Sequence, residues 1–277
     1  MKKTTYIMLG LVIAGFIAVA ALCAVTITWE SPYVELNLGG GTEVRKELPR
    51  FSQLEFSVRG EIYYYNVQGA TLNLKECDSV AAPFVETWGD TSSALTLAMK
   101  GDTLHLTVDY NKLKAPKDTT LRGERRVRYA YVSSSGAPLA TVVVPRGMMR
   151  GARTIWGPLC LDGFDAPFFK AESDEGIILT DCRLDTLRSA SATLNNLELI
   201  DSQVGYAGIR QPKNNLKVVT EGEVCGITRM EVSGDRRKNG SGLNLYRANV
   251  GEVNWVPTDS NARLNVLLGK PAEIRIR

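Results

Sequence analysis

The chain has one histidine, His105, among 277 residues. A serine hydrolase triad would have to use that residue, yet no Gly-x-Ser-x-Gly elbow accompanies it, and a histidine-based zinc site would lack its second imidazole. His105 itself falls between Leu104 and Leu106 on an alternating segment, so it is expected on the surface. None of the five cysteines forms a Cys-x-x-Cys pair, which removes dithiol redox motifs and zinc ribbons. No glycine-rich phosphate loop is present. An excess of one charge is missing too: the net charge is +3, Lys2 and Lys3 supply most of it, and beyond residue 29 basic and acidic side chains nearly balance. That is not the footprint of a nucleic-acid-binding surface.

What is present begins with an apolar run from Tyr6 to Ile27 behind the two lysines. A hydrocarbon core of about 30 Å takes about 20 helical residues at 1.5 Å each, and residues 7–27 supply that length. Lysines ahead of the run set its N-terminus in the cytoplasm, with Tyr6 and Trp29 placed as interfacial anchors. Residues 1–29 are therefore expected to form a transmembrane or signal helix. An uncleaved single-pass inner-membrane anchor is the expectation, and Ala18-Val19-Ala20 supplies a cleavage pattern as the alternative. The rest of the chain then lies in the cell envelope, in the periplasm or outside the cell.

After a linker over residues 30–47, short apolar alternations recur between turn residues: Leu54-Phe56-Val58, Leu72-Leu74, Leu95-Leu97 and Leu104-Leu106-Val108. Period two means strands, so the body over 48–277 is expected to be all-β. Residues 48–135 read as an irregular lead-in and 136–277 as repeat coils. The coil signal is a period near 20. Leu179 to Leu184, Leu199 to Val204 and Val219 to Val224 start 20 residues apart, Leu245 to Val250 follows after 26, and Leu159 to Phe164 precedes them by 20. The longer interval contains Gly234 to Gly242, a polar glycine-rich loop that can bulge without disturbing a stack. Each repeat carries a small residue (Cys182, Ser202, Gly222, Ala248) two before a branched one (Leu184, Val204, Val224, Val250), and both are expected to face inward. The pattern predicts a right-handed parallel β-helix, a solenoid with coils of about 20 residues.

The order of these features resembles the bacterial family described as "putative auto-transporter adhesin, head GIN domain". Leu48 to Val58 is similar to that family's opening strand, Gly60 to Gln68 to its next β element, and Leu95 to Val108 to its Gly-x-x-Leu-x-Leu strand through Gly101-Asp102-Thr103-Leu104-His105-Leu106. The chain departs from the family where Arg, Asn and Leu replace small polar coil residues. The resemblance implies a β-helical head beyond the inner membrane, with adhesion as its role, and brings no catalytic residue.

In stacked coils Asp181, Asp201 and Glu221 would share one outer edge about 5 Å and 10 Å apart. Such a ladder could hold calcium, extended by Asp162 and Asp165. The alternative is a solvated corner relieved by Arg183, Arg188 or Arg247. Tyr206, Tyr246 and Trp255 are coil-edge aromatics that could stack on sugar rings, as could Tyr63-Tyr64-Tyr65. Arg122 to Arg128 and Arg146 to Arg153 read as solvated basic turns. Cys160 and Cys182 are expected to be free thiols, with a disulfide as the alternative. The function expected is an exported, membrane-tethered, adhesin-like interaction module without catalysis or cofactor. Its partners would be the membrane and a cell-envelope protein or polysaccharide, with self-association through coil edges. The alternatives are a carbohydrate-active lyase or hydrolase using the acidic ladder, and a self-assembling envelope scaffold.

Overall fold

In the computed structural model, alternation becomes strand wherever one face can be buried. Over Thr103–Asp109, Leu104, Leu106 and Val108 are buried, while Thr103, His105, Thr107 and Asp109 are only half-buried. The structure describes residues 2–27, 33–37, 42–59, 65–68, 72–109, 112, 129–133, 138–155, 157–191, 193–211, 215–234, 242–257 and 262–276. Tyr63, Tyr64, the Arg122 to Arg128 cluster and most of the Gly234 to Gly242 loop lie outside the described residues.

The chain opens with α1 (Lys2–Ile27). Strands β1 (Tyr33–Asn37), β2 (Glu43–Glu47), β3 (Gln53–Arg59), β4 (Tyr65–Gln68), β5 (Leu72–Cys77) and β6 (Phe84–Trp88) follow. A short helix α2 (Gly89–Ala94) leads into β7 (Leu95–Lys100), β8 (Thr103–Asp109) and β9 (Tyr129–Ser133). Strands then come in close succession: β10 (Ala140–Pro145) and β11 (Gly151–Ile155); β12 (Leu159–Asp162), β13 (Asp165–Ala166) and β14 (Phe169–Ser173). The pattern continues through β15 (Gly176–Thr180) and β16 (Arg183–Ser189), β17 (Asn196–Ile200) and β18 (Gln203–Gln211), and β19 (Leu216–Glu221) and β20 (Gly226–Gly234). It ends with β21 (Leu243–Ala248) and β22 (Val250–Val256), then β23 (Leu264–Leu268) and β24 (Glu273–Ile276).

From β10 onward, each group sends its first strand to a 10-stranded sheet, order β2-β6-β10-β5-β12-β15-β17-β19-β21-β23. Its last strand joins an 11-stranded sheet, whose path runs β24-β22-β20-β18-β16-β14-β11-β3-β8-β7 with β13 beside β16. β1, β9 and β4 form a small third sheet. Pairing is parallel except where β2, β6 and β7 join, so the antiparallel strands gather at one end. The lead-in strands are interleaved with the coil strands: β5 lies between β10 and β12, and β3 between β11 and β8.

Parallel pairing in register stacks like on like. Leu72, Leu159, Ile177, Leu197, Val218, Leu245 and Val266 form one inward column, and Val142, Leu74, Leu161, Leu179 and Leu199 a second. The opposite sheet answers with Phe169, Leu187, Ala207, Met230, Val253 and Ile274. The two faces close on one continuous core. The columns end in the open, since Val266 is 43% and Ile276 58% exposed on the last strands.

The stride between paired residues, Leu161 to Leu179, Leu179 to Leu199, Leu199 to Thr220, Val218 to Leu245 and Leu245 to Val266, is 18, 20, 21, 27 and 21. The expected 20-residue repeats therefore stack in register only from Leu179 to Leu199: Leu159 pairs with Ile177 rather than with Leu179, and the third coil slips by one residue. Ile200 pairs with Glu221, which brings Gly222 opposite Asp201, and Gln203 pairs with Gly226, which brings Cys225 opposite Ser202. Glu223 and Val224 are extra residues that bulge outward, so Val224 is 68% exposed and Cys225 takes the inward place assigned to Gly222. The corner needs this glycine for its conformation, φ +113, and a Cβ there would run into the Asp201 carboxylate and come within 3.2 Å of its backbone nitrogen. Gly222→Ala is expected to cost about 1–3 kcal/mol, read as a lower urea midpoint with an unchanged m value.

α1 is 26 residues long. Among the described residues no helix is long and apolar enough to cross a membrane. The expected span over 7–27 therefore rests on its sequence alone.

Candidate functional site

The corner between the two sheets holds the first set of predicted residues. Asp181 and Asp201 occupy it on neighbouring coils with φ of 52° and 48°, and Arg247 does so further along with φ 52°. Aspartate tolerates this left-handed conformation better than most residues because its short side chain bonds locally. The ladder is stitched by backbone bonds, Asp181 N–H to Ile200 O at 3.1 Å and Asp201 N–H to Glu221 O at 2.9 Å. Glu221 stands one residue off this row. Asp162 is paired with Lys75 at 3.0 Å and Asp165 with Arg146 at 3.8 Å. Among the described residues, no group of three or more His, Cys, Asp or Glu is placed to hold a metal ion. Neither Asp181 nor Asp201 forms an ion pair with Arg183, Arg188 or Arg247 among these residues.

Behind the corner the small inward residues carry a polar seam. Ser202 is fully buried, donates to Ile200 O at 2.8 Å and accepts from Cys182 N–H at 2.9 Å. Cys77, Cys160, Cys182 and Cys225 are free thiols rather than disulfide partners. Burial pushes the Cys182 thiol up to about 12, and burial likewise lifts Cys160 to about 11. These thiols keep their protons in the folded chain while unfolded ones ionise from their ordinary value of 9.0. Their contribution is thus complete below pH 9 and lost as pH rises toward 11 to 12. The urea midpoint is expected to fall across that window, and the fall to be shallower in Cys182→Ala.

Outside the 10-stranded sheet, Asn73, Lys75, Cys160, Asp162, Ile178 and Asp181 line a shallow, open hollow of about 490 Å³. The Asp162 carboxylate holds the Lys75 ammonium above its usual range. On the same face Tyr246 is exposed, with Lys217 Nζ 5.3 Å and the Arg247 guanidinium 5.5 Å from its ring centre. Trp255, expected at a coil edge, is instead 4% exposed inside the core, because Val232 and Trp255 pair in an inward column.

The outer face of the 11-stranded sheet is charged. His105, Glu55, Arg153 and Glu172 sit in one row across β8, β3, β11 and β14. His105 Nδ1 lies 3.4 Å from Glu55, Arg153 lies 4.0 Å from Glu55 and 3.9 Å from Glu172, and Lys170 closes on Glu172 at 2.7 Å. The expected outward histidine is thus in place, beside a carboxylate. Further along, β16, β18, β20 and β22 each place two successive residues outward after their first inward residue. At that step an ideal Cβ on Gly205 would sit 2.8 Å from Asp185 O, and one on Gly251 2.8 Å from Thr228 O.

This break in the alternation sets out a patch that the sequence did not single out as a unit. Thr186, Tyr206 and Arg229 form one row, and Arg188, Gly208 and Glu231 the next. Tyr206 donates its hydroxyl to Glu231 Oε2 at 2.9 Å. Its phenol is raised above the usual value, first by burial and then by that bond, while Arg188 and Arg229 pull the other way. The only sequence signal is a glycine two residues after a tyrosine on a strand.

Fold and surface together define an all-β protein of stacked, mostly parallel strands with two broad outward faces. No family model matches the chain, and no curated protein matches it significantly. Among solved structures, a "putative adhesin" from Bacteroides fragilis is 8% identical over 88% of this chain and 100% of its own, with a TM-score of 0.48. A "putative adhesin" from Parabacteroides merdae is 8% identical over 88% and 99%, TM-score 0.35. A "putative lipid binding protein" from Parabacteroides distasonis is 10% identical over 88% and 100%, TM-score 0.31. At these scores the likeness lends no argument about function, which rests on the chain's own geometry.

Proposed function

We propose that the chain is an exported interaction module, non-catalytic and adhesin-like. Its body, residues 48–277, is read as a right-handed parallel β-helix of the head GIN type, held at the bacterial cell envelope by α1. The observation that carries this reading is the stack itself. Side chains one coil apart stack on one another across both large sheets, which presents long, repetitive faces suited to broad contact. Support for the tether comes from the apolar sequence of residues 7–27 and from Met8, Val12, Ile13, Phe16, Ile17, Val19 and Leu22, which stand exposed on α1. An isolated helix with that surface is stable only in lipid or under a partner.

External protease added to spheroplasts expressing the full chain is expected to digest the body and spare a tag fused before Lys2. A body that stays protected overturns the topology, and cleavage of a polysaccharide by the pure chain overturns the non-catalytic reading.

The exposed Val266 and Ile276 on terminal strands favour a second reading, self-association through the coil edge. Light scattering of the full chain in detergent, rising with protein concentration at fixed micelle size, would support it.

For Asp181, Asp201 and Glu221 the corner reading is preferred to a calcium site, since left-handed φ at Asp181 and Asp201 accounts for aspartate there. Millimolar calcium is expected to leave the melting temperature unchanged. A rise abolished by Asp201→Asn would instead establish the cation.

A further inference from the structure

Strand side chains ordinarily stand off a sheet. Tyr206 lies across it instead. An ideal Cβ on Gly208 would come within 3.0 Å of the Tyr206 ring at Cε1, 3.2 Å of Oη and 3.4 Å of Cζ, so the ring covers the space a side chain would have taken. The bond to Glu231 on the next strand pins its far end. One ring face is therefore turned to backbone, and the other is left to solvent on a half-buried residue.

Two guanidinium groups flank the ring. Arg229 shares the row of Tyr206 on the next strand, and its Nε is 3.8 Å from Glu252. Arg188 shares the row of Gly208 on the preceding strand, is exposed, and forms no ion pair among the described residues. The patch thus combines a pinned aromatic plane, a carboxylate acceptor and a guanidinium without a carboxylate partner. An aromatic plane receives the C–H face of a pyranose, Glu231 accepts from sugar hydroxyls, and a guanidinium fork matches a carboxylate.

We propose that Tyr206 laid over Gly208, flanked by Arg188, Arg229 and Glu231, is a stacking subsite for a uronic-acid residue of an acidic polysaccharide. The proposal rests on the interaction-module reading and names its ligand class. A neutral sugar would leave Arg188 unanswered, and an acidic peptide would leave the plane unused.

The test is calorimetric titration of the full chain in detergent micelles with tetragalacturonate and, in parallel, with neutral cellotetraose. Binding of the acidic tetramer is expected, weakening with salt, with the neutral one bound about tenfold more weakly. Tyr206→Ala should weaken tetragalacturonate about tenfold. Tyr206→Phe, which keeps the plane and loses only the Glu231 bond, should stay within about threefold. Gly208→Val should reproduce the Tyr206→Ala loss by lifting the ring, and Arg188→Ala should erase the preference for the acidic tetramer. Circular dichroism of each variant verifies the fold. No binding of tetragalacturonate, or binding indifferent to both Tyr206→Ala and Arg188→Ala, overturns the subsite. The protease result on spheroplasts does not depend on either outcome, so failure of the subsite and failure of the exported-module reading are told apart.

Discussion

Phe164→Ala is expected to lower the unfolding free energy by about 3–5 kcal/mol, the usual cost of emptying a phenylalanine site that cannot collapse. Phe164 is fully buried at the corner where β12 turns toward β14, and its ring meets Phe169 edge to face, 5.0 Å between centres at 64°. Its carbonyl also accepts from Arg183 N–H at 2.7 Å, so the backbone beneath the ring is fixed to the next coil and has little freedom to close the void. Phe164→Leu, which refills most of the volume, should recover more than half of the loss. Urea denaturation followed by circular dichroism measures both, and a Phe164→Ala midpoint matching wild type would show that the corner does not pack as described.

Glu76→Ala should cost about 3 kcal/mol through polar rather than apolar loss. On β5 the alternation that buries Leu72 and Leu74 also buries Glu76. Its two carboxylate oxygens accept from the backbone of two different corners, Gly147 N–H at 2.8 Å and Asp165 N–H at 2.9 Å. Removing the side chain leaves two corner donors, both in part-buried bonds, without their partner. Glu76→Gln keeps the shape but only one acceptor, so about half the loss is expected. A Glu76→Gln variant less stable than Glu76→Ala would contradict the bonding scheme, because the amide would then be worse than nothing.

Glu76 also shows where sequence reasoning stops. Period two at Leu72 and Leu74 marks the next residue on that face as 76, yet a carboxylate there reads as outward until its two donors, 71 and 89 residues away, are known. The alternation in β8 was legible because every residue obeys it, and so was the step from Asp181 to Asp201, 20 residues apart, which directly follow the in-register pair Thr180 and Ile200. The third corner was not. Its two extra residues displace the inward cysteine, and similar small and apolar residues in both frames conceal the slip. Nothing local in Leu72 to Cys77 announces that β5 will lie between β10 and β12, because parallel partners far along the chain leave no mark on either segment. Tyr206 was visible as an aromatic, but its posture depends on the absence of a side chain at Gly208 and the presence of Glu231 one strand over.

The in-register stacking also has a mechanical side. The backbone bonds joining one coil to the next point along the direction in which the strands stack, from β12 through β15, β17, β19 and β21 to β23 in one sheet and in parallel through the other. Tension applied along that direction, as when a ligand held on an outer face is pulled against an N-terminal tether, loads all the bonds of one layer together. Tension across it would try them in shear along the strands. Resistance to pulling then depends on the narrowest join in the path, and β6 against β10, with three residue pairs, is where the 10-stranded sheet is expected to give first.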